Sequence, residues 1–358
     1  MNRQEKFFIR QLLLWNGEAN DRQMPWKGER DPYRIWLSEI ILQQTRVEQG
    51  WAYYERFLEN FPTVAELATA PETRVFKLWE GLGYYTRCRN LVAAAKLIHG
   101  QYKDRFPSTY EEILALPGVG PYTAAAIASF AFNLPHAVVD GNVFRVLSRF
   151  FGLDTPVDST AGKKMFTALA AQLLDKEQPG LYNQAIMDFG AVICKPKSPL
   201  CGECYLRRNC VALHTERIGI LPVKEKTITR RERWFNYFVA EYKGKTYVRK
   251  RGPRDIWEDL YEFILLETPL ALSKDELWKS EQFRSFFGTK PPRLLETSVV
   301  YRQQLTHQTI HGLFFRVQLA APPVKKDWEA VTPAQLRQLP FPKLINTWLS
   351  DPARQALF

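Results

Sequence analysis

Cysteine is scarce in this 358-residue chain. There are five, and four of them fall in the seventeen residues CKPKSPLCGECYLRRNC, 194–210. No stretch approaches the ~18 consecutive apolar residues of a membrane span, so no membrane partner is expected. The charged N-terminal run MNRQEKFFIRQLLLWNGEAND lacks a small-residue cleavage site. It reads as an amphipathic helix and not as a signal peptide. Internal repeats and low-complexity tracts are also missing. These absences together predict a cytoplasmic protein, nucleoid-associated if bacterial. Thiols there stay reduced, so clustered cysteines signal a metal site before they signal disulfides.

Basic residues are in excess. The formal net charge is +11, of which +3 falls on residues 1–215 and +8 on residues 216–358. A basic protein suits a polyanionic partner, most simply nucleic acid. The length suits two domains, because one hydrophobic core stops growing near ~250 residues. Residues 5–135 keep apolar side chains at three- and four-residue steps, broken by FPT, GLGYY, FPST and LPGVGP, which predicts helices. The alternating pattern of strands begins only near residue 228. WFNYFVAEYKGKTYVRKR reads as a hairpin with a Lys-Gly turn, and VVYRQQLTHQTIHGLFFRVQLA as two more strands. The expected organisation is an all-helical domain over 1–215, a basic linker over 216–230 and an α+β domain over 231–350.

The clustered cysteines are Cys194, Cys201, Cys204 and Cys210, spaced C-x6-C-x2-C-x5-C. Zinc modules usually pair two short knuckles across a longer gap, and only one close pair exists here. Four thiolates in this spacing favour an iron–sulfur cluster, with zinc the alternative. Lys195, Lys197, Arg207 and Arg208 would surround the metal with positive charge. Cys88 stands alone and reads as packing.

LPGVGPYT at 116–123 sits between two helical runs, TYEEILAL and YTAAAIASFAF. Gly118 and Gly120 free the backbone to turn, and Pro121 suits the first turn of a helix. Backbone N–H groups gathered at a helix start attract anions, here a DNA phosphate. Twenty residues past Gly120, Asp140 opens the run DGNVFRVLSRF. An aspartate there serves as an N-cap, and the helix dipole would keep it ionised.

Hairpin, aspartate and cysteine spacing together resemble the endonuclease III superfamily of helix-hairpin-helix DNA glycosylases. WLSEIILQQTRV at 36–47 and WEGLGYYTRCRN at 79–90 look like its MutY branch of adenine glycosylases. The resemblance implies a 4Fe-4S cluster on the loop 194–210. It implies action as a monomer on double-stranded DNA holding adenine opposite 8-oxoguanine or guanine. Within it, Glu39 protonates the adenine and Asp140 stabilises the sugar cation, with Tyr122 and Asn142 beside them. Breaking an N-glycosidic bond requires both services, and two carboxylates in different environments can divide them. Glu39 lies in an apolar stretch, where burial would keep it an acid.

Superfamily members that also cut the strand carry a lysine where this chain has Tyr122. No lysine occurs between Lys103 and Lys163, so the resemblance points to a monofunctional enzyme with water as acceptor. The target base must be flipped out. By resemblance, Gln44 and Tyr84 wedge into the stack, Thr45 and Leu82 contact 8-oxoguanine, and Trp26, Leu42 and Val47 line the adenine pocket. Lys27 stands where some relatives have arginine. IWEDLYEF at 256–263 resembles Nudix folds, but no REx2EEx metal helix is present, so a lesion-reading domain is expected in place of a Nudix hydrolase. Its candidate readers are Thr306 and His307, with Leu305 where the family usually has an aromatic residue. Two rivals stay open: another mismatch or pyrimidine glycosylase of the superfamily, and a non-catalytic iron–sulfur DNA-binding redox sensor.

Overall fold

The N-terminal apolar stripe folds as the helix Arg3–Glu18, opened by a reciprocal cap between Asn2 and Glu5. Such caps are worth about 1 kcal/mol. The helix buries Phe8, Leu12 and Trp15 in a core shared with Val143, Val146, Leu147, Phe150, Phe166 and Phe189. The computed structural model describes residues 1–24, 27–225, 229–288, 290–325 and 327–351. Contacts divide the chain into two units, one of Met1–Thr69 with Arg89–Lys226, the other of Ala70–Cys88 with Thr227–Phe358.

Every regular element among the described residues of the first unit is a helix. Two of its helices form the expected hairpin, Tyr110–Leu114 and Pro121–Phe132. Gly118 is needed at the turn. Its φ is +76°, and an added Cβ would stand 2.6 Å from Asn90 Cβ. Gly120 differs from the expectation: its φ is −97° and open space surrounds it, so it caps the helix without a left-handed turn.

Among its described residues the second unit holds the strands β1 (Arg231–Tyr242), β2 (Lys245–Lys250), β3 (Tyr261–Thr268), β4 (Arg293–Thr297), β5 (Tyr301–Gln304), β6 (Gln308–Gln318) and β7 (Glu329–Val331). They form one mixed sheet in the order β4-β6-β1-β3-β2-β7, with β5 also on β6. The hairpin β1–β2 turns at Lys243 and Gly244, both at positive φ, as a tight two-residue turn demands. β1 and β6 run parallel, from Arg231 against Gln308 to Glu241 against Gln318. Phe238, Leu277, Phe283 and Phe315 fill one core of this unit. Trp348 packs against Phe314 and Phe263 elsewhere in it.

Two boundaries differ from the sequence reading. Residues 70–88 group with the C-terminal unit. Lys77 Nζ donates to the Leu339 carbonyl at 3.0 Å, and the Phe341 N–H donates to Glu80 Oε1 at 2.8 Å. The linker is also shorter than 216–230. Leu221 is buried, Val157 N–H donates to the Val223 carbonyl at 3.0 Å, and Glu225 N–H donates to Asp158 Oδ1 at 2.9 Å. The burial of Leu221 lets this stretch pack on the helical unit despite its flanking charge.

Candidate active site

Asp31 caps the helix Pro32–Leu42 by accepting from the Tyr33 N–H at 2.9 Å. This helix packs on the second hairpin helix and buries every residue from Ile35 to Ile41. Glu39 is among them, only 6% exposed. It is therefore no solvated helix-face charge. Burial, aided by the nearby charge of Asp140, pushes its carboxyl up to about 7, against a counteracting hydrogen bond from Tyr122. Tyr122 occupies the second position of the hairpin helix and is half-buried beside both carboxylates, where desolvation and their charge hold its phenol far above the ordinary value.

Asp140 is the N-cap of the helix Gly141–Phe151. Its Oδ1 accepts from the Val143 N–H at 2.8 Å and its Oδ2 from Asn142 Nδ2 at 2.7 Å. These hydrogen bonds favour the charged form, yet burial outweighs them and raises its pKa. Arg145 fixes the partner amide. Its guanidinium donates to Asn142 Oδ1 at 2.8 Å, to the Gly190 carbonyl at 2.6 Å and to the Cys194 carbonyl at 2.6 Å. The Asn142 amide can therefore present only its NH2 group to Asp140.

Glu39, Tyr122, Asp140 and Asn142 share one cleft of about 890 Å³, with Leu42, Gln44, Thr45 and Val47 also on its walls. Arg22, Lys27 and Gln184 line it as well. The buried carboxylate of Asp188 takes Arg22 at 2.7 Å and Gln184 Nε2 at 2.9 Å. Lys27 lies 3.6 Å from the same carboxylate and donates to the Arg22 carbonyl at 2.8 Å. The Lys27 ammonium thus already holds protein partners. Arg145, Asp188 and Gln184 escaped the sequence reading, because nothing local marks them. Trp26 lies outside the described residues.

Gln44 stands at φ +58°, a left-handed conformation that costs energy for a residue with a β-carbon. Tyr84 does the same at φ +48° but belongs to the C-terminal unit, together with Leu82, Thr306 and His307. The Tyr84 hydroxyl lies 2.7 Å from Thr306 Oγ1. His307 is exposed, whereas Leu82 is buried at 5% exposure. Leu82 is therefore not presented at the surface as the sequence reading expected of a lesion contact.

Cys194, Cys204 and Cys210 pack on the helical core. Burial and the neighbouring thiols push Cys204 up to about 12. Arg149 donates to Cys194 Sγ at 3.5 Å and to the Lys195 carbonyl at 2.7 Å. Among the described residues, no three His, Cys, Asp or Glu side chains converge on a single-ion position. The donor set is four thiols that influence one another beside a guanidinium, and its chemistry fits a group bound by four thiolates.

Residues 37–171 match the HhH-GPD superfamily of base excision DNA repair proteins, and residues 236–351 match the NUDIX domain. An adenine DNA glycosylase from Buchnera aphidicola (subspecies Baizongia pistaciae) is 34% identical, over 72% of this chain and 73% of its own. The chain belongs to the adenine DNA glycosylase family. The Schizosaccharomyces pombe adenine DNA glycosylase is 30% identical across 98% of this chain and 76% of its own length. A thermostable thymine-DNA glycosylase superposes with a TM-score of 0.56 and 30% identity, covering 60% of this chain and 98% of that one. The fold is thus the helical glycosylase fold of this family followed by a Nudix domain. Family membership makes the protein a DNA repair enzyme that acts on N-glycosyl bonds, and not a non-catalytic sensor.

Proposed function

We propose that the protein removes adenine mispaired with 8-oxoguanine, or with guanine, from duplex DNA by hydrolysis, without cutting the strand. The observation that carries this reading is the pair of carboxylates in one cleft, Glu39 buried and Asp140 half-buried, each held in a different environment. Glu39, with its pKa lifted to about 7, is protonated in a large share of molecules at neutral pH and can give that proton to the departing adenine. Asp140 is hydrogen-bonded at both oxygens, which supports its charged form against burial and lets it face the sugar cation. Tyr122 donates between them where an amine nucleophile would otherwise stand, so water completes the reaction. Its activation falls to Glu39 once the proton has gone.

Cys194, Cys201, Cys204 and Cys210 would hold a 4Fe-4S cluster. When bound, the cluster supplies four iron–thiolate bonds and no step of base removal. Arg149 and Arg145 tie its loop to the helix that begins at Asp140. The hairpin turn at Gly118 would take a DNA phosphate, Gln44 and Tyr84 would enter the base stack, and Leu42 and Val47 would flank the extruded adenine. Thr45, Thr306 and His307 would read 8-oxoguanine. A monomer acting in the cytoplasm fits this work.

Duplexes carrying A:8-oxoguanine, A:G, G:T or thymine glycol, resolved with and without alkali, test the reading. Adenine loss opposite 8-oxoguanine with strand breaks only after alkali is expected. Faster loss of thymine or thymine glycol, or spontaneous nicking, would overturn it.

A further inference from the structure

We infer that Asn183, outside the cleft and absent from any recognised motif, is the residue that positions Asp140 for catalysis. This rests on the role assigned to Asp140 above. Residues 133–139 carry the chain from the hairpin helix to Asp140 without regular secondary structure. Such a segment needs its backbone groups satisfied by something other than a helix or sheet ladder. Asn183, on the helix Pro179–Val192 and 1% exposed, does this. Its Oδ1 accepts from the Val138 N–H at 3.2 Å. Its Nδ2 donates to the His136 carbonyl at 2.8 Å and to Ser129 Oγ at 2.9 Å.

One amide thereby joins three elements: the end of the hairpin helix at Ser129, the segment leading to Asp140, and the helix that carries Asn183. Both of its amide protons are used, so its orientation is fixed. The close approach is built in. A β-carbon on Gly180, three residues earlier, would stand 2.8 Å from the Ser129 carbonyl oxygen. A second pin holds the same segment, where the His136 ring stacks on Tyr110 of the first hairpin helix at 4.1 Å. Val138 is two residues before Asp140. The hairpin helix that Asn183 grips also bears Tyr122, the hydrogen-bond partner of Glu39. Asn183 therefore sets the spacing between the two carboxylates without touching the substrate. A misplacement of about 1 Å can cost on the order of 100-fold in rate.

The test uses the full-length, metal-loaded protein under single turnover, with the active fraction titrated. Asn183→Leu, similar in volume but unable to make any of the three bonds, should lower the excision rate constant on the order of 100-fold. Duplex affinity should stay within about twofold of wild type, since positioning and binding are separate. Asn183→Asp keeps the acceptor for Val138 but sets a carboxylate oxygen against the His136 carbonyl, and should lower the rate at least as far. If the leucine variant does not fold, the aspartate variant carries the comparison. The Val138 amide in the wild-type protein should be strongly protected from hydrogen exchange, a measurement that needs no variant. The inference is overturned if either variant excises at the wild-type rate per active molecule, if rate and affinity fall in the same proportion, or if the Val138 amide exchanges unprotected. Asp140→Asn is the control: full activity there would overturn the reading of the site itself, whatever Asn183 does.

Discussion

A β-carbon on Gly190 would stand 2.7 Å from the β-carbon of Asn142. The helix Pro179–Val192 therefore runs against the residue that orients Asp140, with no room for a methyl group between them. Arg145 closes the same corner by bonding both the Gly190 carbonyl and Asn142. Gly190→Ala should move Asn142 and cut adenine excision about 10- to 100-fold, and destabilise the fold by roughly 1–3 kcal/mol through overpacking. Single-turnover kinetics and a melting curve check both. A rate equal to wild type would show that the corner yields.

Excision should fall as pH rises through about 7, because the reaction needs Glu39 protonated and its carboxyl is lifted to that value. The slope should approach tenfold per pH unit on the alkaline side. At low pH the rate should fall again as Asp140, itself raised by burial, loses its charge. A flat single-turnover profile between pH 6 and 9 would remove Glu39 as the acid.

Glu39 also makes a stability prediction with a definite sign. Its folded pKa of about 7 exceeds the ordinary 4.5. The stability linked to its proton is fully present below 4.5 and is lost as pH rises through 7. Above that, the native state carries a buried charge. Glu39→Gln should abolish excision yet melt higher than wild type at pH 8.5, by on the order of 1–3 kcal/mol. Near pH 4.5 the two should melt together. Calorimetry at the two pH values decides it.

The purified protein should be brown, with absorbance near ~400 nm, and contain about four irons per chain. Cys204→Ala should remove the colour and, by loosening the loop that Arg149 and Arg145 hold, lower both stability and duplex affinity. One zinc per chain after iron-replete anaerobic preparation would refute the cluster.

Tyr84 and Thr306 share one hydrogen bond, so their effects on lesion choice should not add. Tyr84→Phe and Thr306→Val should each reduce the preference for A:8-oxoguanine over A:G, by about 1–3 kcal/mol at fixed salt. The double variant should lose little more than either single one. Strict additivity would mean that the two side chains act separately. His307→Ala, whose ring is exposed, tests the neighbouring reader independently.

The parts of the site legible in the sequence were those with a local signature. Gly118 announced its turn, Asp140 its helix start, and Glu39 its apolar surroundings. The cysteines announced themselves by spacing. Arg145, Asn183 and Gly190 could not be read that way. Each matters because of a partner on another helix, and Arg or Asn inside a helix otherwise reads as ordinary surface. The linker was misjudged for a related reason. Its charge was visible at once, whereas the burial of Leu221 depends on the helical surface that receives it. A truncation meant to spare the helical unit should end after Glu225, which still bonds Asp158.

The assignment of residues 70–88 to the C-terminal unit has a consequence for biosynthesis. Glu80 and Lys77 find partners in Phe341 and Leu339, more than 250 positions later in the chain. On the ribosome, domains generally fold as units from the N-terminus. Here residues 70–88 emerge long before their partners at 339 and 341 have been made. The parallel pairing of β1 with β6 imposes a second wait, since Arg231 cannot dock before Gln308 exists. Long loops closed late make folding slow. The C-terminal unit is thus completed only when the last part of the chain has been made. A nascent or truncated chain lacking residues 227–358 should be open to proteases between Ala70 and Cys88, and the full-length protein should resist them there.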